Sequence, residues 1–181
     1  MGKVYKLDID KSLAQQVLEY AGWYEGRKVD IEKIEKYYKE NNYSLNECAK
    51  KFLQEFYGIE KNWFFKYIGK NGEVRIGGND FSFSIPYDLP FNEKDYEYEI
   101  NQIPKEVRDK VIPIVETGWH IGGTLWIDDK GNFYHTLYYR NDSMEKYNSI
   151  FDYLEYNFRH YLGNEIYVTF KNQRDLENNI Y

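Results

Sequence analysis

The apolar residues of this chain change their spacing near residue 60, and this change limits the possible folds more than any other feature. Before it, apolar positions recur every three to four residues, which is the period of an amphipathic helix. After it, apolar and polar residues alternate over short runs bounded by turn residues, as they do in β-strands. This order predicts an α+β fold, with N-terminal helices, a central antiparallel sheet and a C-terminal helix packed on the sheet.

Three helices are predicted before the change, and capping signals mark their starts. The first begins at a capping box of Ser12 and Gln15. The second begins at the N-cap Asp30, and the third at another capping box, formed by Ser44 and Glu47. The three helices are predicted to cover about residues 12–21, 30–41 and 44–57.

Two hairpins are predicted after the change, because turn residues separate runs of strand-like sequence. Asn71 and Gly72 separate WFFKYIG from EVRIGG, and the turn at residues 129–131 separates residues 125–128 from residues 132–138. The alternating run FSFSIP predicts a further strand that stops at a proline, and EIYVTF predicts a late strand.

Two more helices are predicted in the second half of the chain. The segment IPKEVRDKVIP is predicted to be a short helix, with Pro104 near its first turn and Pro113 past its end. Asp142 and Glu145 are predicted to open the last long helix, which ends at Gly163.

Length and charge limit the class of protein. A chain of 181 residues suits a single domain, residues 1–181, with a sizeable core. The net charge of −6 argues against nucleic acid or an anionic membrane as the partner, because both require a positive surface. The sequence shows no secretory signal and no apolar run long enough to span a membrane.

Residues that might carry catalysis or hold a metal form no recognisable set. Cys48 lies within an apolar helical stripe, so we predict a small buried residue rather than a nucleophile. His120, His135 and His160 lack the spacing of metal ligands. We therefore expect no metal, no organic cofactor and no enzymatic activity; loss of turnover on mutating His120 or His135 would favour the enzyme alternative.

Five motifs resemble those of a known family. VLEYAGWYEGRKVDI contains a helix end Ala-Gly-Trp, a turn with Gly-Arg and a Val-Asp-Ile step into a second helix. AKKFLQEFYGI, VIPIVETG, LWIDDKGNFYH and NDSMEKYNSIFDYL follow in order. Together they resemble the SUKH superfamily of immunity proteins, in particular its third family, over about residues 13–162. Residues 163–181 are then a C-terminal extension, and Val115 stands where that family favours glycine.

The resemblance implies a function. Such a protein is expected to be a cytoplasmic antidote, made beside a secreted polymorphic toxin, that binds the cognate toxin domain and occludes its active site. The implied partner is this protein toxin, without nucleic acid, membrane or cofactor, and we expect the free protein to be a monomer. The alternative is a regulatory or scaffolding module of the SUKH type that binds proteins but has no toxin partner.

The corner within the first motif is interpreted as structural. Gly22 and Gly26 supply the turns, and Trp23 buries its ring under the corner. Arg27 caps carbonyls or pairs with a carboxylate, and Asp30 caps the next helix. Direct contact of this corner with a ligand is the alternative.

The predicted partner-binding surface is the acidic segment at residues 86–99, which we expect to be irregular. It holds five acids against one lysine, with aromatic residues interleaved. Carboxylates steer the approach to a basic catalytic cleft, and aromatic rings anchor the contact. The alternative is a solvated loop, or an edge strand DYEYEI with its acids outward. The predicted partner-binding residues are Asp88, Glu93, Asp95, Tyr96, Glu97, Tyr98 and Glu99.

Overall fold

The computed structural model of the protein describes residues 2–76, 81–84, 93–118, 122–138, 144–158 and 163–177, with the backbone alone at residues 81, 82, 84 and 93–96. The described strands are β1 (Tyr5–Leu7), β2 (Asn62–Ile68), β3 (Val74–Ile76), β4 (Phe81–Ser84), β5 (Ile112–Thr117), β6 (Gly123–Ile127), β7 (Phe133–Leu137), β8 (Glu145–Tyr147) and β9 (Glu165–Thr169). The described helices are α1 (Leu13–Tyr20), α2 (Glu32–Glu40), α3 (Glu47–Phe56), α4 (Glu93–Ile100), α5 (Ile150–Phe158) and α6 (Arg174–Glu177). All described strand pairs are antiparallel, which confirms the predicted α+β class.

The chain forms two compact units, each assembled from separated stretches. The first unit comprises Met1–Tyr24, Ile59–Ser82 and Ile150–Tyr181, and the second comprises Glu25–Gly58 and Phe83–Ser149. Because the stretches alternate along the sequence, no single cut of the chain separates the two units. The expectation of one domain stays a prediction.

The sheet of the first unit runs in the order β1, β9, β2, β3. Strand β9 lies between β1 and β2, so Val168 pairs with Tyr5 on one side and with Phe65 on the other. Helix α5 packs on this sheet: the ring centroid of Phe158 lies 5.2 Å from that of Phe65 and 5.8 Å from that of Trp63. The predicted late strand and the predicted helix on the sheet are both confirmed.

Helix α1, also in the first unit, begins where the sequence predicts. The Ser12 hydroxyl oxygen accepts the backbone N–H of Gln15 over 3.2 Å. A second cap comes from α5, because Glu155 Oε2 accepts the Ser12 hydroxyl and the backbone N–H of Ala14, each over 3.0 Å. The amides of the first turn, which have no partner within the helix, are thus satisfied partly by their own cap and partly by a carboxylate from a distant helix.

Strands β5, β6, β7 and β8 form a meander in the second unit, and β4 pairs with β5. One face of the meander packs on α3, where the rings of Phe52 and Phe133 meet edge to face at a centroid distance of 5.7 Å. The hydroxyl of Tyr38 in α2 donates to the carbonyl of Pro113 in β5. The other face carries a buried cluster of Ile103, Val111, Trp126 and Tyr134.

The turn between β6 and β7 is built around the buried carboxylate of Asp128. Its Oδ1 accepts the backbone N–H groups of Lys130 and Asn132 over 2.9 and 2.8 Å. Its Oδ2 accepts the Asn132 amide over 2.7 Å and the Tyr134 hydroxyl over 3.1 Å. Burial alone would raise the pKa of Asp128, but these hydrogen bonds hold the pKa below its ordinary value. The second predicted hairpin is confirmed, with this carboxylate as its organising group.

Two predicted N-caps are displaced, that of α3 by two residues and that of α2 by one, from Asp30 to Ile31. The N-cap of α3 is Asn46 rather than Ser44, since Asn46 Oδ1 accepts the backbone N–H of Ala49 over 2.8 Å. Asparagine and serine are equally good N-caps, so the sequence offers both starts. Helix α2 begins at Glu32, and Asp30 Oδ1 accepts the N–H of that residue over 2.9 Å.

Three segments differ more widely from the prediction. Glu93–Ile100 is a helix and is neither irregular nor an edge strand. Glu145–Tyr147 forms β8, so the last helix begins at Ile150 and not at Asp142, which lies outside the described residues. The predicted short helix reduces to a 3₁₀ turn, Arg108–Lys110, and Pro113 lies within β5. Strands β5 and β8 depend on pairing with β6 and β7, which local sequence patterns do not report.

Candidate functional site

Four of the predicted partner-binding residues lie wholly or partly outside the described structure. Asp88 lies outside the described residues. The backbone of Glu93, Asp95 and Tyr96 belongs to α4, and their side chains are outside the description. The described side chains of α4 are those of residues 97–100, and several of them contact the rest of the unit.

The outer side of α4 presents an acid beside an aromatic ring. Glu97 is exposed, and Tyr98 is 37% exposed. Consecutive helical residues lie about 100° apart around the axis, so these two exposed side chains occupy adjacent parts of the helix surface. Asn101, which follows the helix, is exposed as well. This outer side combines a negative charge with a large contact area.

The inner side of α4 carries a buried carboxylate, so the prediction of an exposed acid is wrong at Glu99. Its side chain is only 5% exposed, and its Oε2 accepts the hydroxyl of Thr136 in β7 over 2.7 Å. The Thr136 oxygen in turn accepts the indole N–H of Trp126 in β6 over 2.8 Å. The physical reason is the helix itself, because two residues of helix turn Glu99 about 200° away from Glu97.

Two side chains hold the segment after α4: Gln102 bonds to β7, and Arg108 bonds within the segment itself. Gln102 donates its amide N–H to the carbonyl of Leu137 over 2.9 Å and accepts the N–H of Leu137 over 3.2 Å. Arg108 donates to the carbonyl of Ile103 over 2.6 Å and to the side-chain oxygen of Asn101 over 2.9 Å. The orientation of α4 is therefore defined by contacts on its inner side and at its C-terminal end.

Electrostatics next to the inner side keep a tyrosine protonated. Burial raises the pKa of the Tyr138 hydroxyl, and the carboxylates of Glu116 and Glu99 raise this pKa further. The hydroxyl therefore keeps its proton into the alkaline range, and it donates to Glu116 Oε1 over 3.1 Å. Both carboxylates near Tyr138 thus have a hydroxyl donor.

The residues of the predicted structural corner are divided between the two units: Gly22 and Trp23 belong to the first, and Gly26, Arg27 and Asp30 belong to the second. In the first unit, Gly22 has φ of +106° and the 9% exposed Trp23 packs edge to face against Phe151, with 5.3 Å between ring centroids. A positive φ favours glycine, and no heavy atom would meet a side chain added at Gly22 within 4 Å. The positive φ, and not a lack of space for a side chain, therefore explains why position 22 is a glycine.

The rest of the corner belongs to the second unit. Gly26 has φ of +77°, and Arg27 Nη1 donates to the carbonyl of Glu55 near the end of α3 over 2.7 Å. This is the carbonyl-capping geometry that the sequence suggested for Arg27. The described contacts of Trp23, Arg27 and Asp30 are thus contacts within the fold.

The cysteine and the histidines that the sequence analysis considered for catalysis are not part of α4. His135 is fully buried, with Nε2 3.0 Å from the Thr117 hydroxyl and Nδ1 3.9 Å from Glu145 Oε2. Cys48 is half-buried rather than buried, and its Sγ lies 3.5 Å from the carbonyl of Asp129. His120 and His160 lie outside the described residues.

Two kinds of feature are absent from the described ranges. Within the ranges given above, no group of three or more His, Cys, Asp or Glu side chains is placed to hold a metal ion. In the same part of the chain, no helix has the length and apolar character that crossing a membrane requires.

Comparison with known proteins identifies the family. The sequence model of the SUKH-3 immunity protein family matches residues 11–152, which include the Trp23 corner and all of α4. No curated protein and no solved structure matches the chain. The family match covers well over half of the sequence and confirms the resemblance carried by the five motifs. The chain therefore belongs to the SUKH-3 immunity protein family.

Proposed function

We propose that this protein, whose family gives it an immunity role, neutralises a cognate secreted toxin by binding the toxin domain with the outer side of α4 and occluding its active site. The observation that carries the proposal is the exposed pair Glu97 and Tyr98 on a helix whose inner side is anchored. An anchored helix presents both side chains in one orientation, so little freedom is lost on binding.

Charge supports a basic surface on the toxin. The chain carries a net charge of −6, and Glu97 adds a local carboxylate to that field. Opposite charges on two proteins raise the rate of encounter and disfavour partners of like charge. A catalytic cleft lined by lysine or arginine fits this surface better than a neutral or acidic one.

The exposed tyrosine supplies the anchor. Tyr98 is 37% exposed, so about two thirds of its surface is already packed in the free protein. A tyrosine held in this way offers contact area at a low cost in conformational entropy. Residues of this type, surrounded by polar neighbours, are frequent hot spots of protein–protein interfaces.

The test is inhibition of the cognate toxin, which the family resemblance implies is encoded beside this protein, by variants of α4. Glu97→Lys and Tyr98→Ala are expected to raise the inhibition constant about tenfold or more, the usual range for a hot spot. The chain offers a matched control, because Tyr24 is 61% exposed and is followed by the exposed Glu25. Tyr24→Ala and Glu25→Lys are expected to inhibit like the wild type.

Two results would contradict the proposal. If the Tyr24 and Glu25 variants weaken inhibition and the α4 variants do not, the interface lies at the corner between the first two helices. If the protein binds the toxin but leaves its turnover unchanged, occlusion of the active site is wrong. Urea unfolding of every variant separates lost binding from lost folding.

A further inference from the structure

The orientation of α4 is not explained by apolar packing alone. Its sequence, EKDYEYEI, spreads four acids around the helix and has no continuous apolar stripe. Among its side chains that the structure describes, Ile100 packs against the cluster of Ile103, Val111, Trp126 and Tyr134. For the described part of the helix, this contact and the packed part of Tyr98 do not by themselves distinguish one rotation of α4 from its neighbours.

A chain of hydrogen bonds from the meander ends on this helix. The indole N–H of Trp126 donates to Thr136 Oγ1 over 2.8 Å, and the Thr136 hydroxyl donates to Glu99 Oε2 over 2.7 Å. The hydroxyl has one hydrogen, and its other acceptor, the carbonyl of Thr124, is farther away at 3.3 Å. A hydrogen bond to a carboxylate is shorter and stronger than one to a neutral acceptor, so the proton lies toward Glu99.

The three residues joined by these hydrogen bonds are all buried. Trp126 is 1%, Thr136 is 0% and Glu99 is 5% exposed. A buried carboxylate adds little net stability compared with a well-packed apolar residue, and its best supported role is to select one arrangement over others. The hydrogen bond to Glu99 therefore distinguishes one rotation of α4 from the rest.

We propose that Glu99 is a positioning residue for toxin binding, because the chain Trp126–Thr136–Glu99 fixes α4 in the rotation that turns Glu97 and Tyr98 outward. This inference rests on the proposed function of the outer side of α4. Glu99 does not touch the toxin; it acts through the two residues that do.

The experiment compares Thr136→Val with Thr136→Ser. Valine keeps the shape of threonine and removes the hydroxyl, while serine keeps the hydroxyl and is the conservative rescue. Amide hydrogen exchange of Glu97–Ile100 is measured in the free protein, with the amides of α5 as an internal control. Thr136→Val is expected to speed exchange in α4 and to weaken toxin binding, each by about tenfold, and to leave α5 unchanged. Thr136→Ser is expected to behave like the wild type in both measurements.

Each outcome of these measurements either supports or overturns the positioning role of Glu99. Unchanged exchange in α4 of Thr136→Val overturns the positioning role, whatever happens to toxin binding. Faster exchange with unchanged binding also overturns it, and if Glu97→Lys then binds normally the proposed function fails separately. If Thr136→Val does not fold, Glu99→Gln replaces it: the carboxyl becomes an amide of the same size, whose oxygen accepts the Thr136 hydrogen more weakly, and exchange in α4 must rise severalfold for the inference to stand.

Discussion

The indole of Trp23 meets the ring of Phe151 edge to face, with 5.3 Å between the centroids and 73° between the planes. Trp23 follows α1 and Phe151 lies in α5, so the pair joins two helices of the first unit. Trp23 is 9% exposed, whereas its neighbour Tyr24 is 61% exposed. Two adjacent aromatic residues therefore have opposite surroundings, and their substitutions report on packing and on the surface respectively.

Trp23→Ala is expected to lower the free energy of unfolding by about 3–5 kcal/mol, the range for deleting a large buried aromatic side chain. Tyr24→Ala is expected to change it by no more than about 0.5 kcal/mol. Urea unfolding of both variants makes the comparison. Loss of toxin binding by Trp23→Ala at unchanged stability would show that Trp23 contacts the partner instead.

Glu155→Gln is expected to lower the free energy of unfolding by about 1 kcal/mol. The carboxylate accepts from Ser12 and from the N–H of Ala14 at the start of α1, where a negative charge is favourable. Glu19→Gln is the control, since Glu19 is exposed and, among the described contacts, its carboxylate accepts only the side-chain amide of Gln15. Equal effects of the two substitutions in urea unfolding would contradict a capping role for Glu155.

Asp128→Asn is expected to cost about 1–3 kcal/mol at neutral pH, because an amide NH₂ then faces the donors from Asn132 and Tyr134. The folded pKa of Asp128 lies below its ordinary value of 3.8, so the carboxylate stabilises the fold above that pH and loses this contribution as the pH falls through the folded pKa. The difference between wild type and variant is therefore expected to shrink from neutral pH to about pH 3. Urea unfolding at several pH values tests the trend; a difference that stays constant or grows on acidification is the opposite result.

Alkaline pH is expected to destabilise the protein through its buried tyrosines. Burial raises the pKa of Tyr38 well above 10.0, and burial with the Asp128 hydrogen bond raises the pKa of Tyr134 to about 12. Above about pH 10 the unfolded chain loses these protons while the folded chain keeps them, so the free energy of unfolding falls. Each such tyrosine contributes up to about 1.4 kcal/mol per pH unit.

The substitution Tyr38→Phe isolates one of these contributions. It removes the hydroxyl that donates to Pro113, and it is expected to make the fall in stability with pH less steep by up to about 1.4 kcal/mol per pH unit. Urea unfolding between about pH 8 and pH 11, with tyrosinate absorbance as a monitor, measures both slopes. Identical slopes for wild type and variant would mean that Tyr38 ionises freely in the folded protein.

Local chemistry explains which parts of the fold the sequence predicts correctly. Gly72, with φ of +74°, makes the turn after β2, and Ser12 caps α1, because both features depend on residues a few positions apart. Strand β1 has three residues, too few for a periodic pattern. Pro113 suggests the end of a helix, but it lies in β5 at an irregularity of the pairing with β6, where a strand tolerates proline.

At the candidate site, too, the local sequence pattern does not predict the structure. The alternating acids and tyrosines of residues 95–99 have the period of a strand, yet glutamate and lysine also favour helices, and this segment is helical. The burial of Glu99 depends on Thr136, which is 37 positions away in the sequence. Thr136 lies two residues after Tyr134, so the strand period places both side chains on the same face of β7. This spacing predicts the shared face, but it does not identify the helix that covers that face.

If the outer side of α4 contacts the toxin, as proposed, the association rate of the toxin is the most direct measurement of that contact. The measurement compares Glu97→Lys with Glu25→Lys at low and high salt. The neighbouring acid Glu99 is not substituted, because a lysine at this buried position would disrupt the fold. Both substitutions replace −1 by +1 and take the net charge from −6 to −4, so they alter the overall field equally. Glu97→Lys is expected to associate severalfold more slowly than Glu25→Lys at low salt, with a difference that shrinks at high salt. Equal rates and equal salt slopes for the two variants would contradict the claim.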